Sequence, residues 1–238
     1  MRCLIYAILP AAEAIEPLGD GLDGQAVCAV RRGDLAAVYS QVTDARIIPT
    51  AERALAYAEV VGRLHQQCPL LPMRYGASAD GPDEVAGLLD RHHEELSQAL
   101  RRVDGCVEMG VRIMTQPPAP QPAPQPAASG AAPADEAPAG ARQYLMRRKA
   151  LYEQHDAGQK QAQELLDLAS GRLGDMCVDT RVTVSCAGAA AVSLAFLLPR
   201  ERIAEFRLAI DCFKASRPEP VFISGPWPPY SFCPQLPT

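Results

Sequence analysis

Apolar positions along this chain follow two periods. Some short runs alternate or are continuously apolar, and longer segments repeat every three to four residues, so strands and helices are expected to follow one another. Leu, Ile and Tyr fill residues 2–9, a strand, while residues 10–24 have no period and read as a loop. Residues 26–30 and 35–42 are strands joined by a turn at Arg32-Gly33. Residues 51–67 put Ala51, Ala54, Leu55, Ala58, Val61 and Leu64 on one helical face, with Thr50 as N-cap. Residues 69–75 form a strand whose leading prolines suit a sheet edge. A second helix, 82–103, has Val85, Leu89, His92, Leu96, Ala99, Leu100 and Val103 on its apolar face.

The second half has its own pattern. Residues 104–114 are a strand and residues 141–172 a long helix. In 177–186, Val178, Thr180, Val182, Val184 and Cys186 share one face, and after a tight turn at Ala187-Gly188 the run 189–198 returns with Val192, Leu194, Phe196 and Leu198 facing one way. Ile203, Phe206, Ile210 and Phe213 mark a further helix, and 221–224 a last strand. From Asp104 the order is thus β-α-β-β-α-β, the ferredoxin-like split pattern. The fold class expected is α+β in two domains: a small β-rich α+β domain at 1–103 and a modified ferredoxin-like domain at 104–238.

Composition adds one feature to this picture. Between the first strand and first helix of the second domain, at about 116–140, lies an insert whose central 117–139 hold eight prolines and nine alanines. Such a stretch cannot build a packed core and reads as extended and loose. The formal net charge of −5 argues against nonspecific nucleic-acid binding, and no apolar run is long enough to cross a bilayer. With no secretion signal at the N-terminus, a cytosolic protein is expected, in which the eight scattered cysteines are reduced core residues.

Candidate chemistry is sparse. Gly19-Asp20-Gly21-Leu22-Asp23-Gly24 spells a dinucleotide fingerprint but trails its strand and leads into another, so it reads as a flexible turn. Arg32-Gly33-Asp34 is explained by the hairpin turn. His92-His93 is the one histidine cluster, yet adjacent helical positions point about 100° apart and chelate poorly. His92 and His155 read as buried, hydrogen-bonded histidines, and His65 is placed to meet the C-terminal dipole of its helix. Cys3, Cys28, Cys68 and Cys106 could meet a histidine only through the tertiary fold; no G-x-S-x-G, phosphate loop or H-E-x-x-H spacing is present, so neither catalysis, cofactor nor metal is expected. The one basic cluster is Arg142, Arg147, Arg148 and Lys149; it is either a solvated helix face or a contact for an acidic partner. Arg74, at a strand end, either ion-pairs internally or faces a partner.

The most distinctive stretch is Gly225-Pro226-Trp227-Pro228-Pro229-Tyr230-Ser231-Phe232, with the only tryptophan. Its prolines fix φ and donate no hydrogen bond, so it is expected to run as a stiff polyproline-like path, neither helix nor central strand. Two readings stay open: a clasp in which Trp227 anchors the tail to its own domain, and a docking strip of Trp227, Tyr230 and Phe232 for another protein.

This ending resembles that of the gas vesicle protein L/F family (GvpL/GvpF). Other pieces agree in order: Leu4-Ile5-Tyr6-Ala7-Ile8, Gly21-Leu22-Asp23-Gly24, the run from Val30 to Val38, Leu71-Pro72-Met73-Arg74-Tyr75-Gly76, His92-His93-Glu94-Glu95-Leu96, Val107-Glu108-Met109-Gly110-Val111 and Tyr144-Leu145-Met146-Arg147-Arg148-Lys149. The resemblance covers nearly the whole chain apart from the proline-rich insert. It implies two α+β domains and a nonenzymatic accessory or minor structural protein of gas vesicle assembly, located in the cytoplasm and at the gas vesicle. It also implies as partners the hydrophobic shell protein and other gas vesicle accessory proteins, with no nucleic acid and no membrane. Trp227, Tyr230, Phe232, Arg74, Arg147 and Arg148 are the candidate contact residues. The other class is a small-ligand binder or enzyme on a ferredoxin-like fold, a scaffold that hosts many functions; a deep pocket with converging polar groups would favour it.

Overall fold

The structure is a computed structural model that describes residues 2–13, 18–42, 49–114, 146, 149, 160, 163–164, 167, 171, 173–185 and 191–234. The chain begins with β1 (Arg2–Pro10), β2 (Val27–Arg32) and β3 (Leu35–Val42), followed by α1 (Ala51–Gln67). Two short strands, β4 (Leu71–Pro72) and β5 (Ser78–Ala79), precede α2 (Pro82–Arg91) and α3 (His93–Val103). These strands make one antiparallel sheet in the order β2-β3-β1-β4, with β5 also pairing β1. β1 is buried from Cys3 to Leu9, which is why its apolar run shows no alternation. Leu4, Tyr6 and Leu9 pack with Tyr57, Val60, Val61 and Leu64 of α1. On the opposite face Cys3, Ile5 and Ile8 pack with Val85, Leu88 and Leu89 of α2 and Leu96 and Leu100 of α3.

The second sheet contains β6 (Cys106–Met114), β7 (Asp179–Ser185), β8 (Ala191–Pro199) and β9 (Val221–Trp227), antiparallel in the order β7-β8-β6-β9. Helix α4 (Ile203–Ala215) inserts Phe206, Ile210 and Phe213 against Val107, Met109, Val111 and Ile113 of β6 and Val192, Leu194, Phe196 and Leu198 of β8. The β8 face expected from alternation is the buried one. The other side of this sheet contributes Cys106 and Leu197 to the cluster built by β1, α2 and α3, so one apolar core runs between the two sheets.

Several expectations change. The buried side of α1 is turned from the one counted in sequence: Ala51, Ala54, Leu55 and Ala58 are exposed, and Tyr57, Val60 and His65 lie inside. Tyr57 sets the phase, because its buried hydroxyl lies 2.9 Å from the Ile5 carbonyl and 2.8 Å from that of Met73. Thr50 is the N-cap expected, its hydroxyl accepting from the Arg53 N–H. The 69–75 strand shrinks to β4, at the sheet edge as its prolines predict. Helix 82–103 is broken at His92 (φ −113°, ψ 18°), and His92 is partly exposed beside Glu95 rather than buried. His65 is buried; desolvation, then the nearby Arg200 charge, push its pKa down to about 4. It is therefore neutral near pH 7 and has no charge to offer the helix dipole.

The glycine-rich hexamer is a turn, but a pinned one. Leu22 is in the core, and its N–H donates to the Tyr6 hydroxyl at 2.8 Å. A Cβ on Gly21 would stand 2.4 Å from that same hydroxyl oxygen. The Asp34 carboxylate in the hairpin turn pairs with His93, which holds it below the usual carboxylate range. The proline-rich insert, His155, most of the 141–172 helix and the Ala187-Gly188 turn lie outside the described residues.

Candidate functional site

Strand β9 ends the second sheet, so one of its edges carries no strand partner among the described residues. Val221 and Ile223 turn toward the α4 core, while Phe222 between them is 58 % exposed. The tail departs from a polyproline path here, because the strand continues through Gly225 and Pro226 to Trp227. It does so by a bulge: three steps from Ser224 to Trp227 span the two from Gly110 to Glu108 on β6. Edge position and bulge together accommodate Pro226, which has no N–H to give. Gly225, at φ 106° and next to a cis Gly225–Pro226 peptide, allows the approach; a Cβ there would meet the Glu108 carbonyl oxygen at 2.7 Å.

Trp227 itself is 52 % exposed, so it is not the anchor of a clasp. Pro228 and Pro229 are buried, and a short 3-10 turn at Tyr230–Phe232 carries the Phe232 ring into the core between the sheets. Tyr230 packs partly buried against the α1 side of the first sheet, and burial raises its phenol pKa to about 12. Glu108 latches the turn, accepting from the Ser231 N–H at 2.7 Å and from the Ser231 hydroxyl at 2.8 Å. The three aromatic residues of the tail are thus split between roles. Phe232 faces inward, Tyr230 is half-covered, and Trp227 faces water.

Arg74 is exposed, and among the described residues its side chain has no hydrogen bond or ion pair. It borders a cavity of about 420 Å³ between the β4–β5 connection and the side of the second sheet away from α4. Glu108, Gly110, Arg181, Ser193 and Ser231 also line it. Both Glu108 oxygens accept from Ser231, and Arg74 and Arg181 bring guanidinium groups to the lining. Arg147 and Arg148 lie outside the described residues. Phe222, Arg181 and the Glu108–Ser231 latch were not singled out in the sequence. Only Phe222 left a signal there, alternating with Val221 and Ile223.

A family model described as gas vesicle synthesis protein GvpL/GvpF matches residues 2–234, the bulged strand and buried tail included. This chain belongs to the GvpL/GvpF family. The gas vesicle protein L of Streptomyces sp. (strain CB03234) is 30 % identical to it over 251 aligned positions, covering 96 % of this chain and 91 % of the relative. Gas vesicle protein F of the same strain is 29 % identical, covering 98 % and 99 %. The crystal structure of GvpF from Anabaena sp. PCC7120 superposes with a TM-score of 0.73 over 100 % of this chain and 97 % of that one, at 15 % identity. GvpF from Microcystis aeruginosa gives 0.70 over 97 % and 98 %, also at 15 % identity. At that identity the likeness speaks for the fold: mixed helix and antiparallel sheet, as a GvpL/GvpF protein has. None of the helices among the described residues of this family member is long and apolar enough to cross a membrane.

Proposed function

We propose that this gas vesicle protein is an accessory or minor structural component of vesicle assembly that binds the hydrophobic shell protein in the cytoplasm and at the growing vesicle. The observation that carries this reading is the outer edge of β9, where Phe222 and Trp227 are exposed on a strand whose outer edge has no strand partner among the described residues. An unpaired edge with large apolar side chains is a template for strand addition and a liability unless something covers it. A small apolar shell subunit has the complementary problem before it enters the wall. We also read the chain as two domains, 1–103 and 104–238. The second is a modified ferredoxin-like domain, supported by the antiparallel order β7-β8-β6-β9, which is that of the split βαβ pattern.

The test is co-purification. The tagged chain and the shell protein are expressed together, and the amount of shell protein retained is compared with that held by a Phe222→Thr/Trp227→Ser double variant. Threonine keeps strand propensity at 222, so folding, checked by circular dichroism, is expected to survive. Loss of nine-tenths or more of the retained shell protein is expected, since exposed aromatic anchors dominate such contacts. A folded double variant that retains as much as the parent would overturn the reading.

A further inference from the structure

We propose that the cavity beside Arg74 receives a carboxylate side chain of a protein partner, a site that uses Arg74 and Arg181 as its donors. The proposal rests on the reading of this chain as a protein-binding assembly component. The strand register explains the hollow. On the side of the second sheet away from α4, the cross-strand row Ser224–Gly110–Ala195–Arg181 has only small residues before it reaches an arginine. The rows on either side are larger: Trp227–Glu108–Leu197–Asp179 and Phe222–Arg112–Ser193–Thr183. The small residues leave a trough about 420 Å³ in volume. That is room for an acidic side chain together with several waters. A Cβ at Gly110 would also stand 2.5 Å from the Ser224 hydroxyl, so the row cannot easily be filled from within.

The electrostatics select the ligand. Four arginines lie on this side, Arg74, Arg102, Arg112 and Arg181, with two carboxylates, Glu108 and Asp179. Both carboxylates are already engaged: Glu108 by Ser231, and Asp179 by Arg102 and, at 3.5 Å, by the Arg181 Nε. Arg74 has no partner among the described residues. In a chain of net charge −5, this leaves a locally cationic pocket with a hydroxyl donor from Ser193 on its wall. A guanidinium fork matches a planar carboxylate in two parallel hydrogen bonds. The exposed Phe222 and Trp227 sit at the β9 end of the two flanking rows. A partner segment that crosses from Phe222 and Trp227 over Gly110 therefore brings an acidic side chain to Arg74 and Arg181.

Heteronuclear NMR titration of the full chain tests this with three probes: a blocked extended peptide with one central glutamate, its glutamine counterpart, and free glutarate. The glutamate peptide is expected to shift the amides of Gly110, Ser193 and Ser231, and to bind about tenfold or more tightly than the glutamine peptide. Arg74→Gln and Arg181→Gln should each remove that advantage, and raising salt should weaken it. Equal binding of the two peptides, or full affinity in both arginine variants, would overturn the site. Glutarate binding as tightly as the peptide would overturn the protein source of the carboxylate. Should Arg181→Gln unfold the chain by freeing Asp179, Arg74→Gln alone still decides, since Arg74 is exposed. These probes contain no vesicle protein, so their outcome is independent of whether the Phe222/Trp227 double variant still retains the shell protein.

Discussion

Removing the Phe232 ring should destabilise this protein more than removing its only tryptophan. Phe232 is 4 % exposed and belongs to a cluster containing β1, α2, α3 and β8 residues. Truncation of such a ring to alanine typically costs about 3–5 kcal/mol. Trp227 is 52 % exposed. Half of a tryptophan's area is about 100 Å², worth at most about 2.5 kcal/mol at 25 cal/mol/Å², and alanine keeps part of it. Trp227→Ala should therefore cost about 1–2 kcal/mol. Glu108→Ala, which deletes both acceptors of Ser231, should cost a similar amount, because the latch is only partly buried. Glu108 and Phe232 hold the same turn, so the double variant should lose less than the sum of the singles. Urea melts followed by far-UV circular dichroism avoid dependence on the tryptophan signal. If Trp227→Ala costs more than Phe232→Ala, the inward and outward assignments of the tail are wrong. If Phe232→Ala leaves the midpoint unchanged, the ring is not part of the shared core.

Other outcomes follow from single buried groups. His65 has a pKa of about 4 in the fold against an ordinary 6.5, so the unfolded chain binds the extra proton between those values. Its contribution is full above pH 6.5 and is lost as pH falls toward 4, up to about 3 kcal/mol, and His65→Gln should flatten that part of the stability profile measured by urea melts. Tyr57→Phe should cost about 1–3 kcal/mol in the same melts, because it leaves the buried carbonyls of Ile5 and Met73 without the hydroxyl between them. Burial raises the thiols of Cys68 and Cys177 to about 11 and that of Cys233 to about 12. Iodoacetamide at pH 8, read by peptide mass spectrometry, should thus label exposed Cys212 well before those three, and the unfolded chain should titrate all eight thiols. Labelling of Cys233 as fast as Cys212 would show that the tail is not seated.

By itself the sequence determined the family and those elements whose signals are local. The α1 range and its Thr50 cap, the turn at Gly33, the alternating face of β8 and the Phe206/Ile210/Phe213 stripe all stand where their periods place them. These features depend on neighbours within a few residues, where propensity, capping and periodicity act. The ordered motifs ending in Gly-Pro-Trp-Pro-Pro-Tyr-Ser-Phe likewise pointed to gas vesicle proteins. Tertiary structure decided which side of each element is inside. The side of α1 that is buried was chosen by Tyr57 finding carbonyls on β1 and beyond β4, and helix 82–103 broke at His92. Trp227 stayed outside while Phe232 went in, because a bulge against Glu108 redirected the strand and a core from both sheets was there to receive the smaller ring. The pocket was invisible for the same reason. Arg74 and Arg181 are far apart in the chain and carry no shared period; they meet only because the second sheet packs with its row of small residues beneath the β4–β5 connection. Burial and charge environment are properties of what lies across a contact, and long-range packing alone supplies that.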